Sequence, residues 1–115
     1  MSTPARILLA EDDSSLSDLL AGWLRAEGHD VVVVDNGYDA VREATTADFD
    51  LYLLDVMIPG VTVDVVARRV LGSRPDASVL HITGSYGLEK TGDRPALRKP
   101  FSHAELVEFV EEHLR

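Results

Sequence analysis

Cysteine is absent from this chain of 115 residues, which excludes disulfide bridges and thiolate metal ligands. Long apolar runs are also missing, since none approaches the roughly 20 residues that a membrane-spanning helix needs. The first residues, MSTPARILL, lack the basic segment and the cleavage site of a secretory signal peptide. We therefore expect a cytoplasmic protein without a membrane partner.

Positive charge is scarce. The chain has 11 Lys and Arg residues against 20 Asp and Glu residues, a formal net charge of −9 at pH 7. Binding along a nucleic-acid backbone needs clustered cations, so we expect no direct nucleic-acid partner. Hydrophobic residues make up 45% of the chain, which is enough for one folded core. The length is typical of a single domain over residues 1–115.

Short apolar runs alternate with segments of helical period along the chain. The apolar runs predict five strands, at residues 5–10, 30–34, 50–55, 77–83 and 96–99. Helical spacing predicts helices from Asp13 or Ser14 to Gly28, over 36–47, over 62–71 and from Ser102 onward. Strands that are apolar on both faces and alternate with helices indicate a parallel sheet covered on both sides. The predicted fold is a five-stranded, doubly wound α/β sandwich.

The first and last helices have the clearest apolar stripes. In the first helix the stripe is Leu16, Leu19, Leu20, Trp23 and Leu24, and in the last it is Leu106, Phe109, Val110 and Leu114. Ser102 and Glu105 form a capping-box pattern at the start of the last helix. Residues 84–95 contain three glycines and one proline and show no helical period, which predicts a loop or at most a turn there.

Polar residues stand at the carboxyl ends of the predicted strands, where sheets of this kind bind ligands. They are Glu11, Asp12, Asp13, Asp55, Thr83 and Lys99. Each has an ordinary explanation by itself, for instance helix capping for Asp13 or a turn start for Asp55. A shared site explains better why all of them fall at one edge of one sheet.

The chemistry of this set is coherent. Two or three carboxylates with a nearby main-chain carbonyl form an all-oxygen site that suits Mg²⁺ or Mn²⁺. Such an ion removes the repulsion among Glu11, Asp12 and Asp55 and leaves a position open toward a phosphate oxygen. A carboxylate held there can act as a nucleophile and form an aspartyl phosphate. Lys99 and Thr83 can then stabilise the phosphoryl oxygens.

Four segments, ILLAEDD, DLYLLDVMIPG, VLHITG and LRKPFS, fall in order on the predicted strands. In this order the chain resembles the receiver domain of a two-component response regulator, over essentially its whole length. The resemblance implies a flavodoxin-like sheet with strand order 2-1-3-4-5. It also implies a cis peptide bond between Lys99 and Pro100.

The resemblance assigns roles to the same residues. Asp55 is the phosphoacceptor, while Thr83 and Lys99 bind the phosphoryl group. The ligands of the Mg²⁺ ion are Asp12, Asp55, the main-chain carbonyl of Met57, and Glu11 either directly or through water.

The chain departs from ordinary receivers between the fourth and fifth strands. Typical receivers place several more residues between the positions of Thr83 and Lys99, so we expect the fourth helix to be shortened or replaced by a loop. Ala96 stands where most receivers have an aromatic switch residue, and Tyr86 follows Thr83 instead. This pattern is similar to the atypical receivers nicknamed the FATGUY group, often linked to histidine kinases of the HWE or related type. Tyr86 is thus a candidate switch residue; alternatively, it is a loop aromatic that rests on the core.

The implied function is a phosphoacceptor that takes its phosphoryl group from a histidine kinase or a phosphotransfer protein. It then signals by partner binding or acts as a phosphate sink, and is no enzyme beyond slow self-phosphorylation and dephosphorylation. The main alternative is a degenerate receiver used as an interaction module. An aspartate phosphatase usually carries a second acid at the position of Met57, and a flavin phosphate would need donors where the first loop is acidic. We expect no DNA-binding domain in the chain.

Overall fold

Residues 4–84 and 91–114 are described by a computed structural model, in which strands and helices alternate. The strands are β1 Arg6–Ala10, β2 Asp30–Val34, β3 Leu51–Asp55, β4 Ser78–Thr83 and β5 Ala96–Arg98. The helices of the described residues are α1 Ser14–Ala26, α2 Gly37–Thr46, α3 Val63–Ser73 and α4 His103–Glu112. Each of these elements lies within a few residues of its predicted position.

The five strands form one parallel sheet in the order β2-β1-β3-β4-β5, which confirms the predicted fold class. The register pairs Ala10 with both Val34 and Leu54, and Thr83 with Arg98. The carboxyl ends of the strands therefore line up along one edge. The chain passes from β1 to β2 on one side and then crosses to β3 on the other side of β1, so the switch point of the topology lies between β1 and β3.

Successive strand residues point to opposite faces of the sheet, and helices cover both faces. Leu9 and Leu53 lie in a core with residues of α1 and α4, whereas Leu8 and Tyr52 lie in a core with residues of α2 and α3. All four side chains are fully buried. This double burial explains why the strands read as continuous apolar runs rather than alternating patterns.

Side-chain caps fix the starts of three helices. Asp13 accepts the Leu16 N–H at α1, and Asn36 accepts the Asp39 N–H at α2. At α4 both hydrogen bonds of the predicted capping box are present. These bonds satisfy amides that have no partner within the helix, so each cap sets where its helix begins.

One core prediction is wrong. Leu19 was expected in the apolar stripe of α1, but it is 48% exposed. The buried residues of the helix are Ser17, Leu20, Ala21 and Leu24. At 3.6 residues per turn, position 19 points to the side opposite the centre of that face.

The connection between β4 and β5 has no helix in its described residues, 84 and 91–95, in agreement with the expected loss of the fourth helix. Tyr86 lies outside the described residues.

The Lys99–Pro100 peptide bond is cis, as the resemblance implies. Among the helices described, none combines the length and the apolar character needed to cross a membrane.

Candidate functional site

A lysine and two carboxylates meet at the carboxyl edge of the sheet. Lys99 Nζ donates to Glu11 Oε1 at 3.0 Å and to Asp55 Oδ2 at 2.5 Å. The side chains of Glu11 and Asp55 are only 1% and 4% exposed. These residues are far apart in the sequence, and the parallel arrangement of β1, β3 and β5 brings them together.

Backbone amides hold the second oxygen of each carboxylate. Asp55 Oδ1 accepts the Met57 N–H at 2.8 Å, where the chain leaves β3. Glu11 Oε2 accepts the Asp13 N–H at 3.2 Å, just before α1. Each carboxylate is therefore fixed between a main-chain donor and the ammonium group of Lys99.

The environment shifts the pKa of all three side chains. Burial raises the pKa of Glu11 to about 7, and its hydrogen bond with Asp55 adds to the rise. Burial acts in the same direction on Asp55, but hydrogen bonds from Glu11, Lys99 and the Met57 amide outweigh it and lower the pKa of Asp55. Burial lowers the pKa of Lys99, yet its bonds to the two acids outweigh this and raise that pKa. At neutral pH, Asp55 is therefore ionised and Lys99 is charged.

Thr83 and Asp12 relate to this cluster differently. Thr83 is buried, and its carbonyl accepts the Lys99 N–H at 2.7 Å, which joins the end of β4 to the lysine. Its hydroxyl donates to the Gly84 carbonyl at 3.2 Å. Asp12 is exposed, and the Met57 side chain is 58% exposed. The structure therefore brings Glu11, Asp55, Thr83 and Lys99 together, and Asp12 lies at the solvent boundary.

The donor set fits a hard divalent cation. Within residues 4–84 and 91–114, no three His, Cys, Asp or Glu side chains are grouped so that they could hold a metal ion. The side-chain donors are nonetheless all oxygens, and two buried carboxylates oppose a single lysine, with exposed Asp12 next in the chain. A cleft of about 360 Å³ opens beside Glu11, lined by Glu11, Asp12, Ser14, Ser17, Val33, Val34, Asp35 and Asp39.

Sequence reasoning missed a chain of polar contacts that runs from buried His81 to the surface. His81 of β4 donates from Nδ1 to the Leu54 carbonyl at 3.2 Å and accepts at Nε2 from Arg94 Nε at 2.7 Å. Arg94 also pairs with Asp64 of α3 at 3.6 Å. Burial and the charge of Arg94 lower the pKa of His81 to about 4, so its ring is neutral. The available signal was a histidine inside an otherwise apolar strand.

Comparison with known proteins identifies a family. The family described as "Response regulator receiver domain" matches residues 7–111. The chain is 35% identical over 115 residues to the response regulator receiver protein CpdR of Brucella abortus, covering 95% of this chain and 96% of that protein. It is 36% identical over 118 residues to the DNA-binding response regulator MtrA of Mycobacterium tuberculosis, of which it spans about half, 50%.

Solved structures share the fold. A response regulator receiver protein of Sinorhizobium medicae aligns with a TM-score of 0.87 at 27% identity, over 96% of this chain and 94% of that one. The receiver domain of the sensor histidine kinase PA1611 of Pseudomonas aeruginosa, crystallised with a magnesium ion in its active-site cleft, aligns with a TM-score of 0.86 at 24% identity. That alignment covers 96% of this chain and 97% of that one. With a family match over residues 7–111 and a relative similar over nearly its full length, this chain belongs to the response regulator receiver domain family.

Proposed function

We propose that Asp55 accepts a phosphoryl group from a histidine kinase or a phosphotransfer protein, with Mg²⁺ or Mn²⁺ as cofactor. The phosphorylated chain then signals by binding a partner or serves as a phosphate sink. One observation carries the proposal: an ionised, buried Asp55 is held at the sheet edge by Lys99 and the Met57 amide. Membership of the receiver family supports the same role.

Asp55 supplies the nucleophile. One of its carboxylate oxygens attacks the phosphorus of a phosphohistidine, a P–O bond forms, the P–N bond breaks, and the leaving imidazole nitrogen takes up a proton. The lowered pKa keeps Asp55 ionised for this step. Lys99 can follow the negative charge onto a phosphoryl oxygen, and the Thr83 hydroxyl can turn from the Gly84 carbonyl to donate to another.

The metal ligands would be Asp12, Asp55 and the main-chain carbonyl of Met57, with Glu11 binding directly or through water. When bound, the ion neutralises charge on the carboxylates and on the phosphoryl oxygens. Burial raises the pKa of Glu11 to about 7, and a cation bound beside it would favour the ionised carboxylate. With Met57 in place of a second acid, we infer that one phosphoryl group is taken up per molecule and is lost slowly.

We also propose that residues 1–115 act as one receiver unit of the atypical FATGUY type, with a kinase of the HWE or related type as donor. Support comes from the described part of the β4–β5 connection, which has no helix, and from Ala96 at the start of β5. The switch role of Tyr86 stays a prediction. To test the proposed donor, the rate of phosphotransfer to this chain from an HWE kinase is compared with the rate from an ordinary histidine kinase. We expect the HWE kinase to be faster, and equal rates would contradict this choice of donor.

Incubation with acetyl phosphate and Mg²⁺, followed by intact mass measurement, tests the central proposal. We expect one added phosphoryl group in the wild type and none in Asp55→Asn, because the nucleophile is removed. Asp48→Asn serves as the matched control, since Asp48 is 91% exposed and precedes β3 at the opposite edge of the sheet. No gain from any donor would indicate an interaction module, and repeated turnover of the donor would indicate a phosphatase.

A further inference from the structure

The start of α2 lies very close to the loop that follows Asp55, residues 56–62 (the β3–α3 loop). Gly37 is buried, and a Cβ at this position would lie 2.0 Å from the Val61 carbonyl oxygen and 2.8 Å from its carbonyl carbon. Ordinary contact begins at 3.4 Å. Positive φ values among the described glycines occur at Gly28, Gly60 and Gly92. Position 37 therefore needs glycine for space and not for backbone conformation.

Two further contacts fasten the same loop. The Gly37 N–H donates to the Pro59 carbonyl at 2.8 Å. The Tyr38 ring covers Gly60, where a Cβ would lie 2.8 Å from the ring atom Cδ2 and where φ is +85°. Three consecutive loop residues are thus held by the first two residues of α2.

Neither α2 nor the β3–α3 loop can shift freely to relieve such an overlap. The atoms that a methyl group would meet belong to the main chain of Val61, not to the end of a flexible side chain. The loop leads into Val63, which is 2% exposed, and α2 is anchored by Ala40, which is fully buried in the same core. A side chain at position 37 would have to displace the loop by more than about 1 Å to reach normal contact distance.

We propose that Gly37 is a positioning residue for the phosphoacceptor. Its missing side chain lets α2 hold the β3–α3 loop where the Met57 amide meets Asp55 Oδ1 at 2.8 Å. The inference rests on the proposed function, in which the same stretch of main chain also supplies the Met57 carbonyl to the metal. A misplacement of about 1 Å at a reacting centre can lower a rate by roughly 100-fold.

The test compares Gly37→Ala with Gly22→Ala, a matched control in α1 where nothing lies within 4 Å of an added Cβ. We expect Gly37→Ala to be phosphorylated by saturating acetyl phosphate about 10- to 100-fold more slowly than wild type. In metal-free protein its Met57 amide should also exchange with solvent faster. Gly22→Ala should match wild type in both measurements. A folded Gly37→Ala with wild-type phosphorylation and wild-type Met57 exchange would overturn the proposal.

A second variant covers the case in which Gly37→Ala does not fold. Tyr38→Ala removes a side chain that is 68% exposed and adds no bulk, so the fold should persist while the loop over Gly60 loosens. Faster Met57 exchange and slower phosphorylation are expected, and wild-type values in this variant would overturn the positioning role. If wild-type protein takes up no phosphate, the proposed function fails, and Met57 exchange in metal-free protein still decides whether α2 positions the loop.

Discussion

Lys99 offsets the negative charge of the two buried carboxylates in the site. Its ammonium group lies between two carboxylates that are almost fully buried, and without it their mutual repulsion would be unopposed. Lysine suits this place because it is a compact charge on a flexible stem. In the proposed function, the same ammonium would turn from these acids to a phosphoryl oxygen.

His81 is the other residue whose protonation state the fold decides. It accepts a hydrogen bond from Arg94 at one ring nitrogen and donates to the Leu54 carbonyl from the other. Only the neutral ring can do both. The arrangement joins β4 to β3, one residue before Asp55, and to Arg94.

Acid should therefore weaken the fold through His81. The pKa of His81 is about 4 in the folded chain and 6.5 ordinarily, so the unfolded state binds the proton more readily. This contribution to stability is complete above pH 6.5 and is lost as the pH falls toward 4. We expect the loss from this group to be roughly 2–3 kcal/mol between pH 7 and 4.5, measured as the difference in unfolding free energy between wild type and His81→Gln.

The comparison with His81→Gln is needed because Glu11 acts in the opposite sense. With a raised pKa of about 7, Glu11 adds stability as the pH falls, whereas Asp55 and Asp64 matter only at lower pH, since their pKa values are lowered. Parallel pH profiles for wild type and His81→Gln would contradict the neutral, buried ring.

At the scale of elements, the start of α1 shows the role of Asp13. The sequence placed Asp13 among the polar residues at the strand ends, with helix capping as its better interpretation. In the structure its side chain accepts the Leu16 N–H at 3.1 Å, which is the bond of an N-cap residue. Asp13 therefore starts the helix, and its amide supports Glu11.

Two replacements of Asp13 distinguish the contribution of its helix cap to stability from the contribution of its charge. Asp13→Ala should lower the free energy of unfolding by about 1 kcal/mol, because the Leu16 amide loses its acceptor. Asp13→Asn should stay close to wild type, since asparagine caps as well as aspartate. Urea unfolding of the two variants measures this. An equal loss in both would show that the charge matters and the cap does not.

The elements also show where periodicity misleads. The spacing of Leu16, Leu19, Leu20, Trp23 and Leu24 predicted one apolar stripe, but Ser17 and Ala21 occupy part of the buried face. Small residues let α1 approach the sheet, and this is invisible to a pattern that counts only large apolar side chains. Because the pattern counted only large apolar side chains, it placed the exposed Leu19 in the buried stripe.

At the scale of the whole molecule, ligand binding and folding are coupled. The candidate ligands come from the ends of β1 and β3, so a metal ion that binds them binds only the assembled sheet. A ligand that binds only the folded state stabilises the whole fold. The acidic net charge of −9 also attracts cations without a specific site, so the experiment needs a control variant that measures this background.

Mg²⁺ should raise the melting temperature of the wild type. At 100 times its dissociation constant it adds about 2.7 kcal/mol, roughly 10 °C for a domain of this size. Asp12→Asn should lose most of this shift, because Mg²⁺ loses a carboxylate ligand, while Asp48→Asn should keep it. Melting curves at constant ionic strength measure the effect. A shift of the same size in Asp12→Asn would remove Asp12 from the ligand set.

Much of the fold followed from local pattern. Apolar runs such as residues 51–54 indicated strands buried on both faces, and Asn36, Ser102 and Gly28 stand where their helices begin or end. The acids and the lysine at the strand ends could be assigned to one edge because parallel strands share their direction. Local pattern could not show that Arg94 reaches His81, since that contact joins a loop to a strand interior.

The sequence by itself determined the order of strands and helices, the doubly covered sheet and the edge where Asp55 and Lys99 lie, because these depend on periodicity and chain direction. Only the tertiary structure decided that Lys99 bridges Glu11 and Asp55, that His81 is neutral, and that Gly37 leaves room for Val61. Those features depend on distances between residues remote in the sequence. Such distances are set by how helices pack and loops close, which no local spacing contains.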